Sequence, residues 1–197
     1  MRTHGDSVCR AWVPALVAAA LLSHGCATKI YQGPTSGRGA EAQQAVVMSA
    51  ERALSRYDAS RLRGKAVVIE VYGLAPRLEG ESPEEGLIRS MLTERLLRGG
   101  AYVVGHREDA DVVVLATLRT AGVDVIRRDF PMIYHHTTFR GLTSVRVSAM
   151  RLQRGDAVKV LDQKLFEAES IYREIYIFYV FGPITSRSTR LTAGVGD

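Results

Sequence analysis

The sequence predicts an α+β domain, a single mixed β-sheet with two main helices packed on one face, in the order α-β-α-β-β-β-β. Three observations carry this. Helical apolar spacing is confined to two early segments, 41–57 and 82–98. β-branched runs follow each of them and then recur as far as residue 181. Strands therefore gather late and helices early, without the regular alternation of a doubly wound sheet. A length of 197 residues allows one domain with a tail. With 46% hydrophobic and 24% charged residues, collagenous, disordered and multi-span membrane classes are excluded.

The first helix is expected from Glu41 to Tyr57, where Val46, Ala50, Ala53, Leu54 and Tyr57 share one face and Glu51, Arg52 and Arg56 the other. A polar link ending at Gly64 leads to a strand over Ala66–Tyr72, mostly apolar and β-branched as a central strand is. The second helix is marked at both ends. Ser82 is a suitable N-cap, Pro83 fits the first helical position and Glu85 completes a capping box. Leu87, Ile88, Met91, Leu92 and Leu96 form its buried stripe, and Gly99-Gly100 stops it. Short strands follow at 102–104 and 112–116, with a charged turn at 106–109 between them. Residues 119–141 are irregular in pattern, and 120–141 is a candidate for a loop that contacts a partner. Alternation returns at 143–152, with Val145, Val147 and Ala149 on one face. A turn at 153–156 leads into a returning strand from Val158, and the aromatic tail 171–181 is a further β-prone segment that Gly182-Pro183 ends.

The N-terminus carries an address. Arg2 and Arg10 precede the uncharged run 11–22, AWVPALVAAALL, and then Ser23-His24-Gly25-Cys26. Basic end, apolar core and small residue are the layout of a secretory signal. Twelve residues fall short of the roughly 20 a spanning helix needs, and Pro14 weakens one further. A cysteine directly after the apolar core resembles the lipobox of bacterial lipoproteins. That resemblance implies a lipoprotein signal peptide at 1–25, lipid attachment at Cys26, a lipidated flexible tether at 26–40 and one periplasmic domain at 41–190. Leu22 lies one position earlier than in the family pattern, and His24 stands where a small residue is usual. Ordinary cleavage after Ala27 and an uncleaved anchor are the alternatives. In a Gram-negative cell the Ala27 that follows points to the outer membrane.

Cysteine usage agrees. Only Cys9 and Cys26 occur, which excludes a disulfide scaffold and a cysteine zinc cluster. Cleavage would leave Cys26 as a lone exported thiol, which acylation would consume. Removing residues 1–25 takes away Arg2, Arg10 and Asp6 and brings the net charge from +5 to +4. The remaining basic residues are interleaved with acids, so no nucleic-acid partner is expected.

A wider resemblance rests on Ala53-Leu54-Ser55-Arg56-Tyr57-Asp58, Leu62-Arg63-Gly64-Lys65, the Ser82 helix, Gly99-Gly100 and Arg107-Glu108-Asp109-Ala110-Asp111. Over roughly residues 32–187 the chain is similar to a small family of bacterial lipoproteins of unknown function. In layout it also resembles the periplasmic domains of the curli-secretion-channel, flagellar outer-membrane and penicillin-binding-protein-activator lipoproteins. The resemblance brings no catalytic motif.

Individual residues add little chemistry. His135-His136 suggests metal ligation, with His106 and Asp129 as further donors, but adjacent side chains on a strand point to opposite faces. Glu84-Glu85 and Glu79-Glu81 are paired carboxylates of the kind a glycosidase uses. The first pair suits a helix N-terminus and the second a loop. Arg154-Gly155-Asp156 spells an adhesion tripeptide that a hairpin turn explains. No phosphate loop and no nucleophile elbow is present. Catalytic residues, cofactor, metal and small-molecule substrate are therefore all expected to be none. Tyr176, Phe178 and Phe181 are candidate partner contacts, although a central strand covered on both sides accounts for the same composition. The expected function is a membrane-anchored envelope binding or scaffold module whose partner is another envelope protein or its own copy. An oligomeric secretion or channel component is the alternative, and an unrecognised envelope hydrolase the second.

Overall fold

The computed structural model describes residues 30–32, 39–73, 82–130, 133–152, 158–178 and 180–192. In chain order these form β1 (Ile30–Gln32), α1 (Ala40–Leu54), a 3-10 turn (Ala59–Leu62), β2 (Ala66–Tyr72), α2 (Pro83–Arg98) and β3 (Tyr102–Val103). A second 3-10 turn (Arg107–Asp109) precedes β4 (Val112–Phe130), β5 (Tyr134–Leu152), β6 (Val158–Ile177) and β7 (Phe181–Leu191). The class is α+β with one mixed, curled sheet in the order β3-β2-β4-β5-β6-β7, and β1 paired to β4. No helix among the described residues is long and apolar enough to cross a membrane.

The parallel strands β2, β3 and the start of β4 build a compact body. α2 forms as its caps dictate. The Ser82 hydroxyl accepts from Glu85 N–H at 3.2 Å, and the Glu85 carboxylate accepts from Ser82 N–H at 3.1 Å. The second oxygen of Glu85 accepts from Gly73 N–H at 2.6 Å, which ties the end of β2 to the start of α2. At the other end Gly100 takes a φ of 84°, the left-handed conformation that a side chain resists. Ile88, Leu92 and Leu96 are fully buried against Val67, Ile69 and Val71 of β2 and Val112, Val114 and Ala116 of β4. Ala53 and Leu54 of α1 and Val145, Val147 and Ala149 of β5 join the same core, so both helices cover one face.

α1 lies unusually close to the sheet. Ala42, Ala45, Ser49, Ala50 and Ala53 give it a stripe of small buried residues. Below that stripe stands Gly141 of β5, where a Cβ would come within 2.2 Å of the Ala45 carbonyl oxygen. Two hydroxyl bridges span the contact. Ser170 donates to the Ala45 carbonyl at 2.5 Å, and Ser49 and Thr143 share a hydrogen bond of 2.7 Å.

Beyond the body the last four strands run on. β4 and β5 have 19 residues each and β6 has 20, about 65 Å of extended chain, whereas β2 has 7. The segment 119–141, expected as an irregular loop, is instead the far half of β4, a hairpin and the near half of β5. A bulge between Leu118 and Thr120 is the physical reason for the difference. Before it even-numbered residues face the helices, after it odd-numbered ones do, so period-2 alternation is broken where it would have been read. The aromatic tail also differs from expectation. Residues 171–177 continue β6, and Gly182-Pro183 opens a further strand, β7, where an end was expected. β6 is central in the sheet, between β5 and β7, but it is not covered on both faces: over 171–177 only Tyr172 is buried, and Arg173 and Ile177 are exposed.

Residues 30–32 lie within the segment read as a flexible tether. They are a strand, antiparallel to β4 with Ile30 opposite Arg127 and Gln32 opposite Val125.

Candidate interaction surface

The sequence-predicted site residues scatter. Cys26, Glu79, Glu81 and Arg154-Gly155-Asp156 lie outside the described residues. Glu85 is the capping carboxylate described above, buried at 3% exposure, and Glu84 sits beside it in the first turn of α2. His135 and His136 point to opposite faces of β5, as strand geometry requires. His135 faces the helix side, where its Nδ1 is hydrogen-bonded to Asp129 of β4 and its Nε2 to the Thr137 hydroxyl at 3.1 Å. His136 is opposite Arg128 and hydrogen-bonded to Thr138 at 3.1 Å. Burial, reinforced by Arg128, Arg173 and His135, lowers its pKa and favours the neutral ring. Among the described residues no three His, Cys, Asp or Glu side chains converge as a metal site.

The Asp129, His135 and Thr137 row has the order of an acid, a base and a hydroxyl. Thr137 is buried at 4% exposure, so its hydroxyl offers little approach to a substrate. Both ring nitrogens of His135 are engaged, and the row serves as a cross-strand polar tie between β4 and β5.

A groove of about 220 Å³ lies at the body end of the sheet, lined by Tyr57, Arg61, Arg151, Asp162, Lys164 and Phe166. Burial, then the charges of Asp162 and Asp58, push the Tyr57 phenol up to about 12. Asp162 faces both Arg61 and Lys164 at 3.5 Å, so much of the charge in this groove is compensated within it.

The far half of the sheet is held by side-chain ladders. On the face away from α1, Glu169 of β6 is 1% exposed and is bonded by Arg140 of β5 and Arg190 of β7. Burial raises its pKa, but the two guanidinium hydrogen bonds and charges outweigh that and hold the carboxyl below its ordinary value. On the helix side Tyr172 packs against Phe139 at 5.9 Å, lies under Arg187 at 5.1 Å and donates to Glu174 at 2.7 Å. The Glu174 hydrogen bond, with burial, raises the Tyr172 pKa.

Of the candidate partner contacts, Tyr176 lies against His135 at 5.9 Å, whereas Phe178 and Phe181 reach the distal end of the sheet. There the β4–β5 and β6–β7 turns stand side by side, tied by Phe178 N–H donating to the Ile133 carbonyl at 2.9 Å. Phe130, Ile133, Ile177, Val180 and Ile184 join Phe178 and Phe181 as exposed apolar side chains. The first two were hidden in the segment read as a loop. β7 was missed altogether, because its core, Thr185-Ser186-Arg187-Ser188-Thr189-Arg190, is polar on both faces. No protein-family model matches this chain and no curated protein matches it. What the fold and surface define is an α+β body whose sheet continues into a four-stranded arm.

Proposed function

We propose that this chain is an exported lipoprotein, anchored through Cys26, whose domain is a non-enzymatic binding or scaffold module of the bacterial envelope. The arm carries the reading. Four strands run far past the body, and β7 is paired only with β6 along its eleven residues, so one long sheet edge stands open among the described residues. Such an edge accepts an added strand from a partner, with main-chain hydrogen bonds supplying much of the affinity. The opposite edge, on β4, is occupied by β2 near the body and by β1 farther out.

The test has two arms. Cys26→Ala should move the protein from the membrane fraction to a soluble or uncleaved form, and a cleaved product still retained on membranes would refute the anchor. Photo-crosslinkers at Ser186 and Ser188 of β7 should give adducts with a discrete protein, while one at Glu108 on the body should not. Absence of adducts at both β7 positions would refute the edge as a binding surface.

A second reading, an oligomeric channel component, is favoured by one observation. An arm of four antiparallel strands whose β7 edge is open is a unit that can pair with a copy of itself. Adducts between identical chains, with a solution mass of many protomers, would select it.

A further inference from the structure

We propose that the distal turns of the arm are a lipid-binding foot, which enters the interface of the bilayer that holds the N-terminus. The inference rests on the anchoring proposed above and adds a second, protein-borne contact with the same membrane.

The first observation is an exposed apolar cluster. Ile133 is 47%, Phe178 56%, Phe181 65% and Val180 76% exposed, with Phe130, Ile177 and Ile184 beside them. The cluster is confined to the ends of two hairpins, whereas the exposed sheet edge behind it is polar. Contiguous exposed apolar side chains of this kind mark an interaction surface.

The second observation is the direction of β1, the first described strand. β1 is antiparallel to β4, with Ile30 opposite Arg127 and Gln32 opposite Val125. Within β1, the step from Gln32 back to Ile30 therefore runs toward Phe130, the distal end of β4. Cys26 is four residues before Ile30, so it lies within about 14 Å of it. A lipid on Cys26 would thus hold the bilayer close to the turns and far from the body.

The third observation is charge. On the face away from α1, Arg128 of β4 lies two residues behind Phe130, and Arg173 of β6 lies four behind Ile177. Both are exposed. At about 3.4 Å per residue they stand roughly 7 and 14 Å behind the apolar end, at the depth of phosphate headgroups when the turns enter the acyl boundary. The acids at this end, Asp129 and Glu174, are on the other face and are bonded by His135 and Tyr172. Apolar end, cations behind it and adjacent anchor together fit an anionic bilayer surface.

The sequence supplies its own probe. The single tryptophan is Trp12, which signal cleavage removes, so Phe178→Trp or Phe181→Trp would place the only tryptophan of the mature protein in the foot. The purified lipidated protein is reconstituted into vesicles of phosphatidylethanolamine and phosphatidylglycerol, with or without brominated acyl chains. Both variants should emit blue-shifted light and lose most of their intensity in brominated vesicles. Tyr102→Trp in β3, level with the start of β4 and so separated from Phe130 by nearly the whole strand, about 60 Å when measured along the chain, should be unaffected. Flotation of the same samples reports the anchor separately. Vesicles that float with unquenched tryptophan in the foot would overturn the foot and leave the anchor intact. Protein that fails to float would overturn both. A blue shift without bromolipid quenching would mean that a protein, such as a second copy, covers the cluster, and would overturn the lipid assignment.

Discussion

Replacing Gly141 with alanine should loosen α1 from the sheet. The added Cβ would meet the Ala45 carbonyl oxygen at 2.2 Å, its carbon at 2.5 Å and the Ser170 hydroxyl at 2.6 Å. Two of these atoms are backbone, so no side-chain rotation relieves the contact and the helix itself must move. Overpacking of this kind costs about 1–3 kcal/mol. The displacement also breaks the Ser170 bond to Ala45, a buried hydrogen bond worth about 1 kcal/mol. The sum, about 2–4 kcal/mol, is a large share of a total stability of about 5–15 kcal/mol. For a domain of this size it lowers Tm by roughly 4–16 °C. Thermal and urea unfolding followed by circular dichroism would measure it. Gly122 is the internal control. It lies on the adjacent strand β4, opposite Leu142 on the other face, and a Cβ there meets nothing within 4 Å. Gly122→Ala should leave Tm unchanged or raise it slightly. A Gly141→Ala protein that melts with the wild type would refute the close approach of α1.

Two further predictions address the core and the arm. Leu92 is 0% exposed between α2 and the sheet, so Leu92→Asp should abolish cooperative unfolding, and a near-wild-type melting curve would contradict the buried face of α2. Glu169 has a carboxyl pKa held below its ordinary 4.5, so its contribution to stability is present above 4.5 and is lost as pH falls through the lower folded value. In Glu169→Gln the acid limb of the Tm–pH curve should flatten and the neutral-pH Tm should fall. An unchanged acid limb would show that Arg140 and Arg190 do not stabilise the ionised carboxyl.

The body was legible in the sequence because each of its elements is signed locally. Ser82, Pro83 and Glu85 start α2, Gly99-Gly100 stops it, and β2 is a seven-residue, mostly apolar and β-branched run that reads as a strand without its partners. Val145, Val147 and Ala149 alternate because a core lies on one side of them only. The arm lacks such signals. Past the bulge after Leu118, Val123 and Val125 share a face with Arg127 and Asp129, since no helix among the described residues fully covers that end. β7 carries serine, threonine and arginine on both faces, and what makes it a strand is its neighbour β6. β1 is three residues long and is fixed wholly by pairing with β4, ninety-odd positions away. Pairing between distant segments leaves little imprint on either segment alone. The candidate surface was read in part for the same reason. Phe178 and Phe181 stood out as aromatics, but that Phe130 and Ile133 sit beside them depends on two hairpins reaching the same level.

The length of the strands bears on use. The buried residues that β4 gives to the hydrophobic cluster of the body lie in its first seven positions, with Ala121 packed against their edge, yet the strand runs on to Phe130. That extension cannot be explained as core, because its side chains are mostly half-buried or exposed. It is sustained by cross-strand ties: Asp129 with His135, Glu169 with Arg140 and Arg190, and Tyr172 with Phe139 and Arg187. Such ties hold a sheet together while leaving much of its surface open, whereas an apolar core would have required a second layer to cover it. The two edges are then treated differently. β1 covers β4 at 125–127, but β7 has strand pairing on one side only. A fold that covers one edge of an exposed arm and leaves the other open has a direction along which it can be extended.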